Sequence, residues 1–172
     1  QIRSYFNSRQ EPLVVTARVN GQERVIFTPR ETTHMKDVKH LVWAVYTLGA
    51  AAAFLVGTIA LGAFRCHYML GLWFARSVMW GSVATVALVF TAGLFSLVGF
   101  NSLFLWFHEV SFGNDFWRLD PNRHFLVMMF PQGFWRDATL FVGFLSLGQA
   151  VVLGSVSTWW VLRAKRLSHE ST

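Results

Sequence analysis

The sequence predicts an all-α integral membrane protein with a small β-hairpin outside the membrane, and three observations support this fold class. Hydrophobic residues make up 53% of the 172 residues, and only 14% are charged, which is about half the share typical of soluble domains. The few charges are missing from three long stretches, and Asn20-Gly21 separates two β-branched runs. The apolar composition excludes a disordered chain, and a single cysteine excludes an internal disulfide framework. We treat residues 1–172 as one membrane domain.

The three charge-free stretches are 24, 31 and 25 residues long. A helix needs about 20 apolar residues to cross the hydrocarbon core of a bilayer. All three stretches are rich in Gly, Ala, Ser and Thr, and such small residues let transmembrane helices approach closely. We therefore predict transmembrane helices at about 41–63, 78–100 and 139–161.

Basic residues predict the orientation, because Lys and Arg are enriched in cytoplasmic loops. Loop 65–77 carries two bases and no acid, and tail 163–172 carries three bases and one acid. We expect both to be cytoplasmic, and segment 1–40 and loop 101–137 to be extracytoplasmic. Since the chain starts at Gln1 without a signal peptide, an outside start suggests that a first helix was cleaved or is missing. The three spans would then be helices 2–4 of a four-helix bundle.

The net charge of +6 follows from this topology. Once the spans are removed, no basic face remains that is typical of nucleic-acid binding. We therefore expect membrane lipids, and not nucleic acid, as partners.

Residues 13–28 predict the β-hairpin. Asn-Gly between two β-branched runs is a strong hairpin signal, because both turn positions need a positive φ. After the hairpin, Thr32 or Thr33 is expected to cap a helix that leads into the first span.

Two histidine-bearing stretches lie on the predicted outer face. In the first stretch, successive candidate side chains are three residues apart, so neighbouring ones share a helix face. The second stretch directly follows a charge-free span. Their candidate residues are Glu31, His34 and Asp37 in the first stretch and His108, Glu109, Asn114 and Asp115 in the second. A solvated helix start and an interfacial aromatic belt explain part of these patterns. Ionisable groups at the depth of His108 are nevertheless costly unless they are paired or used.

These stretches carry a family resemblance. The patterns are Glu31-x-x-His34-Met35-x-Asp37-Val38-Lys39 and Phe107-His108-x-x-x-Phe112-x-Asn114-Asp115-x-Trp117, the second followed by Phe130-Pro131. They resemble the bacterial integral membrane protein family that includes the lipoprotein intramolecular transacylase, and the resemblance covers nearly the whole chain. It implies four transmembrane helices in the bacterial cytoplasmic (inner) membrane and an extracytoplasmic active site.

The resemblance also implies a reaction. The characterised activity moves the sn-2 acyl chain of a diacylglyceryl-modified lipoprotein from its ester to the α-amino group of the N-terminal Cys. Two histidines are central to it, and they map onto His34 and His108. A neutral His can accept the amine proton and return it to the leaving alkoxide. We expect His108 to be the principal base, with Asp37 or Glu31 orienting His34.

The remaining candidate residues are expected either to stabilise the tetrahedral intermediate or to brace the loop that contains them. A tetrahedral intermediate needs hydrogen-bond donors for its oxyanion, and Asn114, Lys39 or Arg118 fits that role. Asp115 belongs to the same site, where it and Asn114 either take part in the reaction or brace the loop. We expect no cofactor and no metal.

Two other functions remain open. The small-residue spans and abundant aromatics also suit a non-catalytic subunit that packs against neighbouring membrane subunits or pigments. A metal-dependent hydrolase would use Glu31, His34, His108 and Glu109 as ligands, although their spacing is loose for a metal site.

Overall fold

The protein is largely helical. The computed structural model describes residues 1–66 and 68–170, so residue 67 of the predicted inner loop and residues 171–172 of the tail lie outside the described part. The elements are α1 (Ile2–Phe6), β1 (Thr16–Val19), β2 (Gln22–Val25), α2 (Pro29–Cys66), α3 (Tyr68–Ser111), α4 (Phe125–Met129) and α5 (Gln132–Glu170).

Three helices within the described residues are long and apolar enough to cross a membrane, and they contain the three predicted spans. Their most apolar windows are only 0%, 6% and 6% buried within the chain. Side chains this apolar and this uncovered are compatible with lipid as their solvent, and not with water. The predicted fold class, with three transmembrane helices and a small hairpin, is confirmed.

The helices are longer than the predicted spans. Residues 68–77 of the predicted inner loop are helical, and α3 continues to Ser111. A helix does not have to end where its apolar stretch ends, because its backbone hydrogen bonds are internal and no proline interrupts these residues. Gly99, with φ −148° and ψ 48°, introduces a kink within α3.

The start of α2 corrects one expectation. Thr28, and not Thr32 or Thr33, caps the helix. The Glu31 carboxylate accepts hydrogen bonds from the Thr28 amide (2.7 Å) and hydroxyl (2.8 Å), and the Glu31 amide donates to Thr28 Oγ1 (3.4 Å). This is a capping box with Pro29 at the first helical position. Thr32 and Thr33 instead donate their hydroxyls back to the Pro29 carbonyl.

The predicted hairpin is confirmed. β1 and β2 pair antiparallel, with Thr16 opposite Val25 and Val19 opposite Gln22. The turn residues Asn20 (φ 52°) and Gly21 (φ 82°) both lie in the left-handed region. A two-residue turn of this kind matches the twist of paired strands.

The chain divides into two compact units, and the first contains Gln1–Leu48 and Phe100–Arg136. Its core joins the N-terminal segment, the hairpin, the start of α2 and α4. The buried members are Tyr5, Leu13, Val15, Phe27, Met35 and Leu126. Val15 and Phe27, which flank the paired strands, anchor the hairpin to this core, while strand β2 itself is exposed.

A polar network ties the N-terminal segment to α2. Lys39 is 5% exposed, and its Nζ donates to the Gln10 carbonyl (2.9 Å) and the Glu11 carboxylate (3.2 Å). It also lies 4.0 Å from the centroid of the Tyr5 ring. Tyr5 donates its hydroxyl to Glu11 at 2.9 Å, so the buried Lys39 charge is matched by the more exposed Glu11 carboxylate.

The second unit contains Gly49–Gly99 and the described part of 137–172. Small residues mark its helix contacts. A Cβ on Gly154 would lie 3.0 Å from Ser82 Cβ, and one on Gly143 would lie 3.4 Å from Val89 Cγ1. The helices α3 and α5 therefore approach closely through small side chains, as the composition of the spans predicts.

Candidate active site

The first unit brings His34 and His108 together. Their ring centroids are 5.9 Å apart, although the residues are separated by most of two long helices in sequence. His34 lies in the second turn of α2, and His108 lies in the last turn of α3. Both are buried, at 7% and 8% exposure.

Aromatic rings enclose His108. Phe112 also contacts His34, with its ring centroid 5.2 Å away in an edge-on geometry. The rings around His108 and their centroid distances are Phe104 at 4.2 Å, Trp117 at 5.0 Å, Phe107 at 5.4 Å and Phe112 at 5.5 Å. The imidazole pair is thus shielded from water largely by apolar surfaces, which strengthens electrostatic interactions within the site.

The backbone of α3 selects the tautomer of neutral His108. Its Nδ1 lies 2.7 Å from the carbonyl oxygen of Phe104, one turn earlier. A carbonyl oxygen only accepts hydrogen bonds, so Nδ1 must carry a proton and donate. In the neutral ring, Nε2 then has the free lone pair, and this nitrogen is available as a base.

His34 is held differently. Its Nδ1 is buried and has no hydrogen-bond partner among the described residues. Buried polar atoms in native proteins are nearly always paired with protein, water or ligand.

Asp37 and Asn114 form a link between the two predicted stretches. Asn114 donates its side-chain amide to Asp37 Oδ2 at 2.9 Å. Burial and the nearby His108 lower the pKa of His34 to about 4, and the negative charge of Asp37, three residues later on α2, opposes this shift. The pair therefore fixes a carboxylate beside one histidine and attaches the loop after α3 to α2.

The Glu31 carboxylate is bonded to backbone and side-chain groups of the framework. It is fully buried, and its Oε1 accepts a hydrogen bond from the Leu126 amide at 2.8 Å. Its other oxygen is bonded to Thr28 in the capping box. Since both oxygens are engaged away from the imidazoles, the geometry leaves Asp37 as the carboxylate that acts on His34.

The other predicted donors are engaged elsewhere. Lys39 belongs to the network with Glu11. Arg118 is exposed and lies 3.2 Å from Asp115 Oδ1 and 3.7 Å from Glu109 Oε1. Asp115 also accepts a hydrogen bond at its carbonyl oxygen from Arg30. These contacts brace the loop 112–118 and hold Trp117 against His108.

No group of three or more His, Cys, Asp and Glu side chains within residues 1–66 and 68–170 is placed to hold a metal ion. In particular, Glu31 directs both carboxylate oxygens to Thr28 and Leu126. The ligand set considered for a metal-dependent hydrolase does not assemble around a common point.

Several contributing residues were not identified from the sequence. Thr28-Pro29-Arg30-Glu31 has the spacing of a capping box and could have been recognised. Phe104 precedes His108 by four residues, but its carbonyl is relevant only because α3 continues past the predicted span. Arg30 and the Leu126 amide carry no sequence signal, because their roles depend on contacts over long sequence separations.

The fold and the site together define a multi-pass integral membrane protein with a buried histidine pair. The chain belongs to the lipoprotein intramolecular transacylase family, because the model of that family, described as Lipoprotein intramolecular transacylase Lit, matches residues 1–135. The resemblance seen in the sequence is confirmed.

The chain is also similar to two other proteins. It is 28% identical over 134 residues to an uncharacterized protein of Aquifex aeolicus (strain VF5), a match that covers 76% of this chain and 55% of that protein. The chain thus spans about half the length of this curated relative. The structure of the membrane integral lipoprotein intramolecular transacylase Lit from Bacillus cereus matches with a TM-score of 0.73 at 20% identity, covering 96% of this chain and 71% of that chain. The two share a fold.

Proposed function

We propose that this protein catalyses intramolecular acyl transfer in bacterial lipoproteins. The acyl chain would move from the sn-2 ester of the diacylglyceryl group to the α-amino group of the modified N-terminal Cys, giving a lyso-form lipoprotein. The observation that carries the proposal is the enclosed pair of His34 and His108, with ring centroids 5.9 Å apart. Membership in the family supplies the reaction class.

His108 serves as the general base. Its Nδ1 proton is held by the Phe104 carbonyl, so Nε2 accepts a proton from the substrate amine as the nitrogen attacks the ester carbonyl. A C–N bond forms, and the C–O bond of the sn-2 ester breaks. The proton then passes from Nε2 to the leaving alkoxide, which restores the neutral imidazole.

His34 stabilises the charge that develops on the substrate. Burial and the neighbouring His108 lower the pKa of His34 to about 4, and the carboxylate of Asp37, fixed by the Asn114 amide, opposes this shift only in part. His34 is therefore neutral near pH 7, and its one ring N–H can donate a hydrogen bond. Two imidazoles at this distance disfavour double protonation because like charges repel. One histidine therefore acts as base while the other donates to the oxyanion, an interaction of about 2.7–4 kcal/mol in enzymes of known mechanism.

The aromatic enclosure favours transfer over hydrolysis. The nucleophile and the ester belong to one molecule, so correct positioning supplies much of the rate. Phe112 and Trp117 exclude water that would otherwise compete for the ester. No Ser or Cys nucleophile is required.

The site is extracytoplasmic in this proposal. The bases of residues 65–77 and of the tail favour a cytoplasmic position for those segments and for the C-terminus, in the bacterial inner membrane. The diacylglyceryl lipoprotein and membrane lipids are the partners at the outer leaflet.

The test replaces each histidine in the full chain and measures the N-acylated N-terminal peptide by mass spectrometry, after reaction with a diacylglyceryl lipoprotein in vesicles. His108→Asn keeps a side-chain amide near Nδ1 that can still bond Phe104, but it lacks Nε2. We expect its rate to fall by about 10²–10⁴-fold, the range for loss of a general base. The rate of acyl transfer by His34→Asn should also fall strongly.

His40→Asn is the matched control, because His40 lies on the same helix but is exposed. It should keep the wild-type rate. Full activity of both His34→Asn and His108→Asn would contradict the proposal and favour a non-catalytic subunit.

A further inference from the structure

An apolar groove lies between α3 and α5 in the second unit, and the proposed reaction does not use it. Its volume of about 620 Å³ falls within the range of roughly 300–1,000 Å³ for small-molecule sites. Ser82 and Ala150 are buried in its lining, and Gly154 comes close to Ser82. The larger lining side chains include Met79, Trp159 and Leu162. Small residues lie where the helices approach each other, and larger apolar side chains line the groove beside them.

The helices that line the groove carry more bases than acids within the second unit. Arg76 lies in α3, and Arg163, Lys165 and Arg166 lie in α5, while Asp137 and Glu170 are the acids of residues 49–99 and 137–172. The guanidinium carbon of Arg163 lies 5.3 Å from the ring centroid of Trp159, which itself lines the groove. Cation–π contact orders this charge next to the apolar groove.

We infer that the groove binds one acyl chain of an anionic phospholipid, whose phosphate is held by Arg163. The groove is apolar and the nearby charge is positive, so the complementary ligand has a hydrocarbon tail and a negative head group. Guanidinium groups bind phosphate oxygens through two parallel hydrogen bonds. Basic pockets between transmembrane helices bind anionic lipid head groups in the same way. The groove shares no lining residue with the histidine pair, and the inference does not depend on the proposed function.

The experiment measures lipid binding to the full chain, purified in mild detergent and delipidated. Dioleoylphosphatidylglycerol and dioleoylphosphatidylcholine, which have the same tails, are titrated separately, and bound lipid is counted by native mass spectrometry. We expect the anionic lipid to bind about fivefold more tightly, corresponding to about 1 kcal/mol for one engaged base. Arg163→Gln should remove this preference. Phosphatidylcholine has the same phosphate but no net charge, so its binding should weaken less than that of the anionic lipid.

A second variant tests the groove itself. Ser155 lines the groove and is exposed, so Ser155→Trp can fill it without disturbing the helix contact at Gly154. It should weaken the binding of both lipids. Arg65→Gln removes an equal charge from the last turn of α2, outside the lining, and should keep the preference.

Three results would overturn the inference. If the wild type binds both lipids equally, the site does not recognise an anionic head group. This measurement uses only the wild type, so it does not depend on the folding of any variant. The preference for the anionic lipid could also persist in Arg163→Gln, or it could be lost to the same extent in Arg65→Gln. Either result would show only a diffuse attraction of anionic lipid to the basic helix ends. Unchanged binding by Ser155→Trp would place the lipid outside the groove.

Discussion

The hydrogen bond from His108 to the Phe104 carbonyl is the residue-scale feature with the clearest chemical consequence. It assigns the proton to Nδ1 and leaves Nε2 as the basic nitrogen. The sequence identified His108 as the principal base, and this role stays a prediction. The tautomer depends on α3 continuing to Ser111, which the predicted loop at 101–137 did not include.

The contact between Asn114 and Asp37 carries the second residue-scale prediction. Asn114→Ala should destabilise the fold by about 1.5–3 kcal/mol, the usual contribution of a hydrogen bond to a charged group. Because Asp37 acts on His34, acyl transfer should slow by more than the loss of folded protein explains. Thermal denaturation in detergent and product formation per folded molecule measure the two effects.

Asn114→Asp and Asn122→Ala sharpen this prediction. Asn114→Asp places a second carboxylate beside Asp37 and should slow transfer further, because like charges repel. Asn122 is exposed in a turn, and its replacement by Ala should change stability by less than about 0.5 kcal/mol. An unaltered rate in both Asn114 variants would remove Asp37 from the proposed mechanism.

At the scale of elements, Glu31 connects the start of α2 to α4. Its carboxylate completes the capping box with Thr28 and also accepts the Leu126 amide, 95 residues later. His34 follows in the next turn of α2. The position of this histidine therefore depends on a carboxylate whose two functions are structural.

Removing the Glu31 carboxylate should destabilise the first unit. Glu31→Ala loses a helix cap and leaves the Leu126 amide buried without a partner, so we expect a loss of about 2–4 kcal/mol. Thermal denaturation in detergent, followed by circular dichroism, measures the change.

Glu31→Gln keeps one carbonyl oxygen as a hydrogen-bond acceptor. It should therefore lose less stability than Glu31→Ala. Glu23→Ala removes a carboxylate from exposed strand β2 and should change the free energy of unfolding by less than about 0.5 kcal/mol. Similar effects of Glu31→Ala and Glu23→Ala would contradict the structural role of Glu31.

At the scale of the whole molecule, the N-terminal segment is fixed to α2 by the network of Tyr5, Glu11 and Lys39. Burial alone would raise the pKa of the Glu11 carboxyl, but hydrogen bonds from Tyr5 and Lys39 hold that pKa below its ordinary value of 4.5. Burial and the hydrogen bond to Glu11 raise the pKa of Tyr5 above its usual range. The ionised Glu11 and the neutral Tyr5 are therefore the forms that stabilise the fold.

This network predicts a pH-dependent stability. A depressed folded pKa means that the unfolded chain binds the proton more readily. The contribution of Glu11 is therefore complete above about pH 4.5 and is lost as the pH falls through the folded value. Because Glu11 is partly screened by solvent, Glu11→Gln should be only about 0.5–1 kcal/mol less stable than the wild type at neutral pH, and this difference should shrink in acid.

Melting curves of the two proteins across this pH range provide the measurement. Glu23→Gln is the control, since that carboxylate lies on the exposed strand. A constant difference between the wild type and Glu11→Gln at all pH values would exclude Glu11 as the titrating group.

The sequence by itself determined the fold class of this protein, its three spans and its hairpin. These features depend on local patterns, because long charge-free stretches are too apolar for water and Asn20-Gly21 can adopt positive φ. The same patterns, together with the resemblance, selected His34, His108, Asp37 and Asn114 as candidates.

Only the tertiary structure decided how these residues are arranged. The 5.9 Å separation of the histidine rings, the link from Asn114 to Asp37 and the two bonds of Glu31 join residues far apart in sequence. Such contacts depend on where long helices continue and how side chains pack, and no local pattern encodes either. Tertiary packing thus assigned Glu31 to the framework and left Asp37 beside the histidine pair.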